Sequence, residues 1–210
     1  MGLQGERVSL RPLTRNDLDE VEAWAPYTDP LYLAWNRFPW QQLGKDLWHE
    51  LQEADPAVER YAIVDRQGRV IGVVGLVSGD EGRPALLSIF MGADFVGQGL
   101  GSEALRILLG HAFQDLDLEC VRLYVAATNA RARRAYEKNG FRVVGSCYRP
   151  VGRDESLAFL EEARYRSLRP FFRQEDGRTY VLFYRMEIHA PEWRALQSRP
   201  GSPRDGTWQS

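Results

Sequence analysis

Cysteine is scarce in this chain, with only Cys120 and Cys147 among 210 residues. Both stand in apolar, strand-like surroundings, which excludes a disulfide framework and predicts two buried, reduced thiols. That usage points to the cytoplasm. Long apolar runs are missing as well. None is long enough to cross a bilayer, and the first eleven residues lack the apolar stretch of a signal peptide. Charge of one sign is not in excess either. A net charge of −2 argues against nucleic acid or an anionic membrane as partner. Internal repeats and low-complexity blocks are absent, and no metal site is expected.

What is present is an ordinary globular balance, 44% hydrophobic and 27% charged, at a length suited to one sizeable domain. Aromatic residues are plentiful, with 6 Trp, 9 Tyr and 9 Phe. Clustered aromatics outside a core often line a site.

Alternation of Val8 and Leu10 predicts a strand over 7–11, ended by Pro12. Thr14-Arg15-Asn16-Asp17 reads as a capping box opening a helix to about Trp24. Residues 25–40 hold three prolines and five aromatics without a period, and read as a loop or a broken helix. A helix is predicted over 41–54, with Leu43, Leu47, Trp48 and Leu51 on its inner stripe. Strands follow over 61–65 and 70–78 as a hairpin, then a buried strand over 85–91. Next come a helix over 99–113, a strand over 120–125, a helix over 130–138 and a strand over 141–147. A helix over 156–168 and a strand over 179–188 complete the series, and the chain from Pro191 reads as a frayed tail. The order implies an α/β domain on a mixed sheet (α+β in its antiparallel part). One domain is expected over 1–190, with an insertion near 150–178 and a flexible tail over 191–210.

Between the buried strand and the long helix lies Val96-Gly97-Gln98-Gly99-Leu100-Gly101. Such a turn exposes backbone N–H groups at a helix N-terminus, where the dipole also favours an anion. Ser102 adds a hydroxyl to the first turn. A Walker loop is excluded, because Gly101-Ser102-Glu103 has no lysine. Gly99-Leu100-Gly101-Ser102-Glu103-Ala104 formally fits a dinucleotide fingerprint, but Gly92-Ala93-Asp94-Phe95-Val96 intervenes after its strand and it lies mid-chain. A second motif follows at Asn129-Ala130-Arg131-Ala132-Arg133-Arg134-Ala135-Tyr136-Glu137-Lys138-Asn139-Gly140-Phe141. Asn129 suits a helix N-cap, and Tyr136 lies about two turns on along the same face. Taken alone, each has a plain reading, the asparagine as a cap and the tyrosine as a core aromatic.

Together the two segments resemble GNAT-type N-acetyltransferases. The run from Gly92 to Leu105 is similar to that family's acetyl-CoA pyrophosphate loop, Arg/Gln-x-x-Gly-x-Gly/Ala. The match falls on Gly99 and Gly101, and Val96 departs from the first position. The second motif resembles the family's Asn…Ala…Tyr-Glu-Lys-x-Gly-Phe. The resemblance implies a mixed, mostly antiparallel sheet of about seven strands flanked by helices. It implies acetyl transfer from acetyl-CoA to a primary amine by direct attack in a ternary complex. It gives Asn129 the pantetheine or leaving group and Tyr136 the proton for the departing thiolate. Phe90 and Met91 become backbone donors to the thioester, and residues 96–102 the pyrophosphate cradle. Arg131 and Arg133 become candidates for the 3′-phosphate, while Arg133 and Arg134 either favour phenolate character in Tyr136 or are solvated charges on the helix face. The alternative is an acyl-CoA-binding or sensor protein without transfer activity.

The strand before the loop carries no carboxylate, and Leu86 stands at the register where many members have a glutamate base. Asp29, His49, Glu81 and Asp94 are the remaining candidates. Lacking a base favours a weakly basic amine, such as a protein N-terminus. The opening residues 5–14 and the closing strand resemble the branch that acetylates N-terminal alanines of ribosomal proteins and related small amines, which implies a protein N-terminus or a small amine as acceptor. The inserted segment, with Arg164, Arg166, Arg169 and Arg173, is expected to border the acceptor site or to form a homodimer contact. Tyr27, Tyr32, Trp35, Phe38 and Trp40 are expected as the opposite wall.

Overall fold

The computed structural model describes residues 2–79, 83–153 and 156–198. Two short strands open the chain, β1 (Leu3–Gln4) and β2 (Val8–Pro12), followed by helix α1 (Asp17–Glu22) and helix α2 (Lys45–Ala54). Three antiparallel strands come next: β3 (Val58–Asp65), β4 (Val70–Val77) and β5 (Ala85–Met91). Then α3 (Leu100–Gln114), β6 (Cys120–Ala126), α4 (Ala130–Lys138) and β7 (Arg142–Arg153) alternate. The last elements among the described residues are β8 (Phe172–Glu175), β9 (Arg178–His189) and α5 (Ala190–Gln197).

Among the described residues nine strands form one mixed sheet in the order β1-β2-β3-β4-β5-β6-β9-β7, with β8 also on β9. Every pairing is antiparallel except β5 with β6. The expected architecture is present, and the strands beyond seven are the short β1 and β8. Alternation divides each strand between two cores. Leu87, Ile89 and Met91 of β5 pack with Leu105, Leu108 and Phe113 of α3, whereas Phe90 packs with Trp24, Phe38 and Trp40 on the other face.

Several local expectations need correction. α2 begins at Lys45 rather than near 41, after a 3₁₀ turn at Pro39–Gln41. Its leucines point outward, Leu47 and Leu51 being 47% and 50% exposed, and Leu43, which precedes the helix, is 51% exposed. Trp48 alone is buried, because its ring packs on Trp40 at 5.1 Å and fixes the helix rotation. No helix forms over 156–168. That segment makes 3₁₀ turns at Ala158–Glu161 and Arg166–Phe171 and then β8, so the insertion extends the sheet. The residues it buries are Leu160 and Tyr165, whose five-residue spacing does not fall on one helical face. Residues from 190 are not a frayed tail. They form α5, whose Trp193 is buried against Phe113 with ring centroids 5.5 Å apart. The rest of the expected tail, 199–210, lies outside the described residues. Cys147 is exposed and Cys120 half-buried; both are free. Among the described residues no helix is long and apolar enough to cross a membrane.

Candidate active site in a splayed sheet

β5 and β6 pair only through Ala85↔Val121 and Leu86↔Arg122. Beyond that point they diverge and leave a gap in the middle of the sheet. The Gly92 N–H donates to the Ile71 carbonyl at 3.0 Å. Antiparallel bonding alternates, so the Phe90 N–H is likewise committed to Val73 of β4, while those of Ile89 and Met91 face the gap. Of the two donors expected for the thioester, Met91 presents its N–H to the gap and Phe90 does not, while that of Ile89 also faces it; strand parity without the register could not separate them.

After β5 a 3₁₀ turn at Ala93–Phe95 leads into the glycine turn. Gly97 and Gly99 have φ of +80° and +82°, a region that favours glycine, and Gly99 is the N-cap of α3. Gly101 is not in that region; a Cβ there would lie 3.5 Å from Met91. Val96 is extended and brings no polar atom. The Gln98 side chain donates back to the Asp94 carbonyl at 2.7 Å, and Leu100 begins the helix. Ser102 Oγ accepts Asn139 Nδ2 at 2.8 Å, which leaves its own O–H available.

Asn129 closes the far side. Its Oδ1 accepts the Ala132 N–H at 3.1 Å and caps α4. Tyr136 lies in the core against Phe141, with ring centroids 5.9 Å apart. Burial alone raises the pKa of its phenol, and no arginine contributes. Of the two readings of Arg133 and Arg134, the solvated helix face fits, since Arg134 is exposed. Arg133 pairs with Glu137 at 3.4 Å and lies 5.9 Å over the Tyr184 ring. Arg131 lies 5.0 Å over the Tyr32 ring. It thus sits beside the aromatic loop.

Next to Met91 and Gly92 opens a cavity of about 430 Å³, lined by Trp24, Tyr27, Trp35, Phe38 and Glu22. Tyr27 is strongly fixed. Its backbone N–H donates to Asn36 Oδ1 at 2.7 Å, and its carbonyl accepts Asn36 Nδ2 at 2.9 Å. Its hydroxyl donates to the Met91 carbonyl at 2.8 Å. Trp40, expected in this wall, is instead fully buried and stacked on Phe38. Glu22 was missed by sequence reasoning, because a carboxylate near the end of a short helix carries no motif. Lys45 and the Trp40 indole hold its carboxyl below the usual range.

None of the described base candidates lines this cavity. His49 bonds to the Leu13 carbonyl at 3.1 Å in a separate depression. Asp29 accepts the Leu31 N–H and faces Tyr165 of the insertion, so that segment does meet the aromatic loop. Asp94 lies in the 3₁₀ turn, and Glu81 is outside the described residues. The insertion's arginines make local contacts: Arg164 with Glu162, Arg169 with Glu161, and Arg173 over Tyr148. One grouping of potential metal ligands exists among the described residues, Cys120, Glu187 and His189. It lies at the opposite end of β6 from Asn129, and Glu187 is already paired with Arg122.

The acetyltransferase (GNAT) domain model matches residues 7–142. The chain belongs to the GNAT acetyltransferase family. It is an acyl-CoA-dependent N-acetyltransferase. Over 141 residues it is 29% identical to the spermidine N(1)-acetyltransferase of Escherichia coli strain K12, covering 66% of this chain and 74% of the relative. A chimera of the Vibrio cholerae spermidine N-acetyltransferase and hSSAT superposes with a TM-score of 0.65 at 24% identity, covering 90% of this chain and 99% of the other. The Vibrio cholerae enzyme in complex with CoA and spermine gives a TM-score of 0.62 at 23% identity, with 89% and 98% covered. These likenesses confirm the GNAT fold.

Proposed function

We propose that this GNAT enzyme transfers acetyl from acetyl-CoA to a small alkyl amine of the polyamine class. The observation that carries this reading is the cavity at Met91. A gap with free N–H groups on Ile89 and Met91 meets a pocket of aromatic rings that also holds one ionised carboxylate. Aromatic faces and a carboxylate suit an alkylammonium. The volume suits a slender chain. The relatives above are named for spermidine, which agrees with this acceptor. A protein N-terminus, the acceptor suggested by the opening and closing strands, is the competing outcome of the test.

The pyrophosphate lies on the N–H groups of the glycine turn, and the pantetheine arm enters the gap beside Asn129. The Met91 and Ile89 N–H groups polarise the thioester. The neutral amine attacks the carbonyl carbon, the C–N bond forms, and collapse of the tetrahedral adduct breaks C–S. Tyr136 meets the departing sulfur as an O–H donor, since burial keeps its phenol protonated. Full transfer to a thiolate of pKa ~8.5 runs uphill. The proton that finally neutralises the sulfur is therefore balanced by the one the amine releases.

Glu22 draws the ammonium but is too weak a base to deprotonate it, being held ionised by Lys45. The enzyme uses the neutral fraction of its amine. A panel of spermidine, simple diamines and an N-terminal alanine peptide, assayed with acetyl-CoA, tests the reading. Turnover of the peptide alone would overturn it.

A further inference from the structure

The pyrophosphate turn has no charged side chain of its own, because Val96 stands where the motif has Arg or Gln. A guanidinium nevertheless reaches it from the residue before β2. Arg7 Nη1 donates to the Gln98 carbonyl at 3.0 Å. The same fork donates through Nε to Glu103 Oε2 at 2.8 Å, and the Arg7 backbone N–H donates to Glu103 Oε1 at 2.6 Å. Glu103, in the first turn of α3, is only 3% exposed and also accepts the Val8 N–H at 3.3 Å. Burial pushes its carboxyl up, but these bonds outweigh it and hold the pKa below the usual range.

In a trans peptide the C=O and N–H point in opposite directions. A Gln98 carbonyl fixed on Arg7 therefore turns the Gly99 N–H away from Arg7, toward the open side of the turn. The left-handed φ of Gly99 lets the chain take that course. A cation on the carbonyl also polarises the peptide and strengthens its N–H as a donor. Glu103 neutralises the guanidinium, so the effect is orientation and polarisation of one peptide rather than net charge.

We propose that Arg7 is a positioning residue for the cofactor pyrophosphate, acting through the Gln98–Gly99 peptide without touching the phosphate. The inference rests on the reading that this turn holds pyrophosphate.

The test compares acetyl-CoA with S-acetylpantetheine, which has no pyrophosphate, in wild-type protein and in Arg7→Lys. A lysine reaches Glu103 or the Gln98 carbonyl but not both. The expected result is an acetyl-CoA KM raised about tenfold, the loss of one charge-assisted hydrogen bond. The S-acetylpantetheine KM, the amine KM and kcat at saturation stay unchanged, and the salt dependence of acetyl-CoA binding does not shift. A thermal midpoint near wild type shows that the Glu103 anchor survives; Arg7→Ala removes both bonds and lowers it. Equal losses with both thioesters, or none with acetyl-CoA, would overturn the inference. Wild-type protein that uses the two thioesters equally well would overturn the pyrophosphate reading itself and the inference with it.

Discussion

Asn139 Nδ2 donates to Ser102 Oγ at 2.8 Å and so ties the end of α4 to the first turn of α3. The same nitrogen donates to the Ala135 carbonyl at 2.8 Å. One amide thus spans the two segments that the proposed reaction must keep in register, the glycine turn and the helix of Tyr136. Asn139→Ala is expected to cost about 1–2 kcal/mol in urea denaturation, because two partly buried hydrogen bonds disappear. The acetyl-CoA KM should rise with it. Asn139→Asp replaces the donor with an acceptor facing a carbonyl, and should destabilise at least as much. Wild-type stability in both variants would show that the tie carries no load.

Tyr136→Phe separates the phenol from the ring. The ring packs in the core, while the hydroxyl has no hydrogen bond among the described residues. Removing the oxygen should leave the denaturation midpoint unchanged. kcat should fall about 100-fold, the low end for a positioned proton donor, with both KM values little altered. A fall in stability with kcat intact would assign the residue to packing alone.

The strand pattern, the hairpin and both glycine-rich and Tyr-bearing motifs were legible in the sequence because each rests on local chemistry. Positive φ at Gly97 and Gly99 is the kind of backbone that only glycine adopts easily. The choice between Ile89 and Phe90 was not legible, since it depends on which edge of β5 pairs with β4. Nor was the outward turn of Leu47 and Leu51. Their spacing fits an inner stripe, and only the Trp40–Trp48 contact sets the rotation of α2. Glu22 and Arg7 were silent for a related reason: their partners lie far away in sequence, at Lys45 and Gln98.

Substitutions along the turn should be unequal. Gly99→Ala forces a left-handed residue, at about 1–2 kcal/mol, and brings its Cβ within 3.2 Å of the Arg7 guanidinium. Gly101→Val meets Met91, since a Cβ already stands 3.5 Å away and the added methyls reach further. Both should weaken acetyl-CoA binding in calorimetry. Val96→Ala removes no polar contact and should bind acetyl-CoA like wild type.

Acid should unfold this protein through its anchored carboxylates. Glu103 and Asp17 are buried, which pushes their pKa values up, yet hydrogen bonds from Arg7 and Val8, and from Arg11 and Thr14, prevail and depress them. A depressed folded-state pKa means that the unfolded chain binds the proton first. The stabilisation is complete above the unfolded value of about 4 and is lost as pH falls through the folded values. Urea midpoints should be flat from neutrality to near that point and then drop. Glu103→Gln should flatten part of the drop and lower stability at neutral pH. A slope unchanged in Glu103→Gln would show that other groups govern it.

The pH profile of transfer decides whether a base acts on the amine. β5 carries none, and the carboxylate in the cavity, Glu22, is held below the usual carboxylate range by Lys45 and the Trp40 indole. A primary alkyl amine with pKa ~10.4 is only about 0.04% neutral at pH 7. With no base, kcat/KM should rise tenfold per pH unit from neutrality until it nears the amine's own pKa. Replacing the acceptor with an amine of lower pKa should move the plateau down by the same amount. Glu22→Gln should raise the amine KM, because the attraction for the ammonium is lost, and leave the slope of the profile intact. A plateau near pH 7 that disappears in Glu22→Gln would instead make that carboxylate the base and reverse its assigned role.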